Sequence, residues 1–93
     1  MKHFKLIYKS FPEFYSGVIF GATVFHNGEY VIVIDNNISD EKKNKCLRHE
    51  LAHIVLDHFN DSTATVKQIE EEAELYSKNM SENEYKSLMM WQK

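Results

Sequence analysis

The dipeptide Asn27-Gly28 lies between two runs rich in β-branched and aromatic residues, Val18 to Phe25 and Tyr30 to Ile34. Asparagine and glycine tolerate the positive φ that a type I′ turn needs at both central positions, and the twist of that turn matches a two-residue hairpin loop. A β-hairpin over about residues 18 to 35 is therefore expected. Downstream, Ser39 offers an N-cap hydroxyl, and Asp40 and Glu41 put negative charge at the positive end of a helix dipole. That helix should run to about His58, with Leu47, Leu51, Ile54 and Val55 on one apolar stripe. Cys46, His49, Glu50 and His53 lie along the neighbouring stripe.

Asn60 to Thr65 reads as a loop and Val66 to about Met80 as a second helix, with Ile69, Ala73, Tyr76 and Met80 facing inward. Ser81 with Glu84 has capping-box spacing and opens a last helix to about Trp91, carrying Tyr85, Leu88, Met89 and Trp91. Residues 3 to 8 fit a short strand or the start of a helix equally well. Together these elements predict an α+β fold in a single domain over residues 1–93. A small antiparallel or mixed sheet with its hairpin would pack on the histidine-bearing helix, with two further helices after it.

The 93-residue chain has a net charge of −3, which leaves no broad basic surface for phosphates, so nucleic acid is not expected as a partner. One proline and three glycines argue against a disordered chain. Cys46 stands alone, which rules out an intramolecular disulfide and favours a reducing compartment, the cytoplasm. Lysines interrupt the apolar residues of Met1 to Lys9, so no signal peptide is expected, and no segment reaches the roughly 20 apolar residues that span a bilayer. Composition is silent on oligomeric state.

The chemistry resides in His49-Glu50-Leu51-Ala52-His53. Histidines four apart project from one helix face about one turn apart, within reach of a single Zn2+ ion. Glu50, at the adjacent position, suits a general base that deprotonates a metal-activated water. Such an HExxH string arises in roughly a few per cent of shuffled chains, so its setting in a capped helix after a hairpin strengthens the reading. The competing explanation is a pair of histidines on an ordinary amphipathic helix.

With these residues in place, the chain resembles the gluzincin-type zinc metallopeptidases, in particular the ImmA/IrrE family and the small minigluzincins. Gly28 to Ser39 is similar to that family's strand and Asn-rich turn, Arg48 to His58 to its active-site helix, and Ile69 to Ser77 to its second helix. The resemblance covers some two-thirds of the chain. It implies a zincin-like fold, zinc-dependent endopeptidase activity on a protein or peptide substrate, and a third zinc ligand at Glu70, with Glu74 as partner to a zinc histidine. It further implies a substrate among the repressors or other regulators of a phage or mobile element. From the residues alone, Glu70 and Glu72 flank the apolar face from opposite edges, and the choice between them stays open. The chain departs from the family at Ser77 and at Lys78-Asn79-Met80, where a small alanine and a Leu-Leu-Met-Pro-like ending are usual, and a DNA-binding helix-turn-helix region is not expected.

The strand from about Ile19 to Phe25 precedes the histidines at a distance similar to that of the substrate-binding rim strand in gluzincins, and an extended peptide would add to it near Phe20, Gly21, Ala22 and Thr23. His58, Tyr76 and Tyr85 are candidates to stabilise an oxyanion, although His58, about 140° round the helix from His53, better suits a residue facing the helix C-terminus. His3 and His26 read as surface residues, with His26 opposite Glu29 across the hairpin, and Cys46 reads as a small buried apolar residue. Two alternatives to an active peptidase are a binding module that keeps the fold with little activity, and a latent enzyme whose segment Glu82 to Lys93 covers the cleft.

Overall fold

Between Glu29 and Asp35 the chain alternates fully or nearly buried Tyr30, Ile32 and Ile34 with half-buried Val31 and Val33, the period-two pattern of a central strand. The computed structural model describes residues 2–11, 20–60 and 63–93. Its strands are β1 (Phe4–Lys9), β2 (Gly21–His26) and β3 (Glu29–Asp35), in the order β1-β3-β2. β1 runs parallel to β3 and β2 antiparallel to it, giving a mixed sheet in which β2 is an edge among the described residues. The turn residues take φ of 52° at Asn27 and 75° at Gly28, and His26 faces Glu29, as the turn chemistry requires. Residues 18 and 19, where the hairpin was expected to begin, lie outside the described residues.

Helix α1 (Asp40–Val55) starts where Ser39 Oγ accepts the Lys42 amide at 3.2 Å. Leu47, Leu51 and Ile54 pack onto Phe4, Tyr30, Ile32 and Ile34, so the core lies between one sheet face and one helix stripe. The expected extension of α1 to His58 does not form. Asp57 takes a left-handed φ of 58°, and Lys2 Nζ donates to Ile54 O at 2.8 Å and to Asp57 Oδ1 at 3.2 Å. A cation from the chain start thereby closes the negative end of the helix. A single 3-10 turn, His58–Asn60, follows, with Phe59 seated edge-on to Tyr30 at a ring separation of 5.5 Å.

Helix α2 (Val66–Asn79) opens with a reciprocal capping box between Thr65 and Gln68. Ala73 is fully buried and has nothing beyond Cβ, which lets α2 lie close against α1. Helix α3 (Glu82–Met89) has only half of the expected capping box: Ser81 Oγ accepts the Glu84 amide at 3.1 Å, while the Glu84 carboxylate accepts a hydrogen bond from the Tyr76 hydroxyl. That hydrogen bond, with burial in second place, pushes the Tyr76 hydroxyl up to about 12. α3 stops at Met89, so Trp91 lies beyond the helix. The end of the chain instead runs along the outer edge of β1: Phe4 N donates to Trp91 O at 3.3 Å and Lys93 N to Phe4 O at 2.9 Å.

Candidate active site

β2 and α1 form one wall of an open cleft of about 750 Å³, and α2 and the His58 turn form the other. Phe20, Gly21, Ala22 and Thr23 line it from the sheet side, opposite Glu70 and Glu74. Among the described residues, none of Glu82 to Lys93 lines it, which counts against the alternative of a latent enzyme covered by this segment. Strand pairing at the β1 edge places the chain end at the opposite side of the sheet from β2.

Helical periodicity places His49 and His53 side by side on α1, with ring centroids 4.9 Å apart and planes at 81°. Their Nε2 atoms both face Glu70: His49 Nε2 lies 2.9 Å from Oε2 and His53 Nε2 lies 3.2 Å from Oε1. Glu74, one turn further along α2, reaches His49 Nδ1 at 3.2 Å. Glu72 faces the other way and meets His58 Nε2 at 3.2 Å. The edges of α2 that sequence reasoning could not rank are thus separated by their partners.

Glu50 is buried beside the two histidines, and the three side chains offer candidate metal-ligating atoms within 4.8 Å of one another. Glu70, outside that grouping, is the carboxylate that both Nε2 atoms face. Glu50 Oε1 accepts the Thr23 hydroxyl at 2.7 Å. Burial raises the Glu50 carboxyl above its ordinary value; Thr23 and His49 pull it down, and the Glu70 charge adds to the rise. Burial lowers the His53 imidazole, against the pull of Glu70, which favours the neutral ring that has a free lone pair. Burial also pushes the Cys46 thiol up to about 12, helped by the Glu50 charge, so it stays protonated behind Gly21.

The hydrogen bond from Thr23 to Glu50 was not anticipated from sequence. Its signal was the period of two along β2, which turns Gly21 and Thr23 toward α1 together. His58, expected to face the C-terminus of its own helix, instead lies in the 3-10 turn beyond α1, where it is buried with its Nδ1 2.9 Å from His53 Nδ1. Of the oxyanion candidates, Tyr76 is engaged by Glu84 and the Tyr85 hydroxyl donates to Asn44 at 3.2 Å. Neither tyrosine lines the cleft, and both ring nitrogens of His58 are occupied.

A family model described as the IrrE N-terminal-like domain, Peptidase_M78, matches residues 5–87. The chain belongs to this peptidase family. No curated protein and no solved structure matches it. The family is one of metallopeptidases, and the His49, Glu50 and His53 group could hold a metal ion. Among the described residues, no helix is long and apolar enough to cross a membrane.

Proposed function

We propose that the chain is a zinc-dependent endopeptidase with a zincin-like arrangement, in which His49, His53 and Glu70 hold the metal and Glu50 is the general base. The observation that carries this is the convergence of two Nε2 atoms on one carboxylate, at 2.9 and 3.2 Å, beside a buried glutamate that belongs to none of these contacts. Two imidazole nitrogens and one carboxylate leave a fourth position open, the donor set of a catalytic zinc site. When bound there, zinc supplies Lewis acidity, making water acidic near neutral pH and polarising the scissile carbonyl.

The chain's own residues supply the rest. Glu50 takes a proton from the attacking water and returns it to the leaving amine nitrogen, and its raised affinity for a proton suits both steps. Thr23 fixes the carboxylate by donating to Oε1, which leaves Oε2 to act. Substrate binds along β2. Phe20 O accepts the Asp35 amide at 2.8 Å, so by strand alternation the main-chain groups of Gly21 and Thr23 face away from β3, to the side of β2 that no other described strand pairs. An extended peptide paired there lies beside Glu50 with its main chain held and its side chains in shallow surroundings.

Elemental analysis of the purified chain should find about one zinc per chain, lost in His49→Ala. Glu50→Gln should keep the metal and lose about 10²- to 10⁴-fold in peptide hydrolysis. A chain that takes up no zinc under reducing conditions, or a Glu50→Gln variant with full turnover, would refute the proposal.

A further inference from the structure

We infer that His58 and Glu72 are positioning residues that hold His53 in the tautomer with a bare Nε2, through a chain of hydrogen bonds running from α2 back to the site. The inference rests on the metal-site reading above. A carboxylate only accepts, so His58 Nε2, 3.2 Å from Glu72 Oε2, carries a proton. With that proton on Nε2, His58 Nδ1 is the acceptor of the pair, and His53 Nδ1 lies 2.9 Å from it. A metal on His53 Nε2, which faces Glu70 at 3.2 Å, needs that nitrogen bare and the proton on Nδ1, the polarity in which Nδ1 donates to His58. The opposite polarity would put a proton on that Nε2 and bar it from a cation.

The backbone is shaped for this contact. On a continued helix, a residue five positions after His53 would sit about 140° away round the axis and could not reach it. The left-handed Asp57 turns the chain back, and Phe59 anchors the turn against Tyr30. His58 is left with a side chain 4% exposed, so water does not compete for its ring. His49 has a carboxylate directly on its Nδ1, whereas His53 reaches one through a second imidazole. Partners of this kind orient a ligand histidine and raise its basicity.

The test compares the full wild-type chain, labelled with 15N in histidine, with His58→Ala, Glu72→Ala and Glu72→Gln. In wild type, a scalar coupling across the N–H···N bond should link Nδ1 of His53 to Nδ1 of His58. The zinc dissociation constant, measured by chelator competition, should rise about 10- to 100-fold in His58→Ala and less in Glu72→Ala. Glu72→Gln, whose amide carbonyl still accepts from His58, should stay near wild type. If His58→Ala opens a void that prevents folding, Glu72→Ala decides the matter, because that side chain is 57% exposed and outside the core. Zinc binding by wild type with no such coupling, and an affinity within about twofold in the alanine variants, overturns this inference alone. A wild-type chain that holds no zinc overturns the metal-site reading and this inference with it.

Discussion

Gly21 lies where β2 meets α1 with no space for a side chain, and its replacement by alanine tests whether that close approach sets the site. A Cβ at Gly21 would stand 2.6 Å from Cys46 Sγ, 2.9 Å from Ile34 Cδ1 and 3.0 Å from Val33 O. The sulfur and the methyl group can give a little, but the carbonyl belongs to the central strand. Overpacking of this kind costs about 1–3 kcal/mol, and alanine returns about 0.4–1 kcal/mol by restricting the unfolded chain. The net loss should be about 1–2 kcal/mol, which for a domain of this size lowers Tm by about 5–15 °C. Thermal melts followed by circular dichroism would read it. Cys46→Ala removes the nearest obstacle while Ile34 and Val33 remain, so Gly21→Ala with Cys46→Ala should be less damaging than the sum of the single changes, by about 0.5–1.5 kcal/mol. An unchanged or higher Tm for Gly21→Ala, or simple additivity in the double variant, would refute the reasoning.

Two further outcomes follow from the same contacts. Because burial raises the folded-state Glu50 carboxyl above its usual 4.5, the stability it contributes is present below that value and is lost as pH rises through the folded-state value. Metal-free Glu50→Gln should therefore melt above metal-free wild type near neutral pH, with the gap closing toward about pH 4; a gap independent of pH would contradict this. Arg48 ties α3 to α1 through Met80 O at 3.1 Å, Glu82 Oε2 at 2.6 Å and the Tyr85 ring at 4.3 Å. With Glu82 well exposed, most of the value lies in the carbonyl and the ring, and Arg48→Ala should cost about 1–2 kcal/mol in denaturant unfolding; a loss too small to measure would show that apolar packing alone docks α3.

What could be read from the sequence was what short stretches decide by themselves. Asn27-Gly28 fixes its turn by backbone sterics, and Ser39 caps its helix within three residues, so both were legible. The end of α1 was not, because Asp57 goes left-handed with the help of Lys2, which arrives from the other end of the chain. β1 was ambiguous for a similar reason: its strand character depends on parallel pairing with β3, a partner about 26 residues on that leaves no local period. Glu84 has capping-box spacing, yet Tyr76 offers it a better-placed proton. Likewise the choice between Glu70 and Glu72 turns on which histidine each meets, and His58 reaches its place only after the chain has reversed.

The same reversal explains how so short a chain can hold this charge distribution. Glu50, Glu70, Glu72 and Glu74 gather around His49, His53 and His58, and the buried Glu50 already feels the Glu70 charge as a repulsion. α2 is held over the site by the packing of Ala73 and Tyr76 and by polar contacts with the histidines. A divalent ion bound between His49, His53 and Glu70 would offset the Glu70 charge that Glu50 feels and tie α2 to α1. On the proposed reading, metal binding and closure of the helix pair are therefore one equilibrium, and the free energy of the first appears as stability of the second. The strand β2 needs no such help, since its position is set by β3 and by the close approach at Gly21, so on the same reading the wall proposed to bind substrate does not depend on the metal.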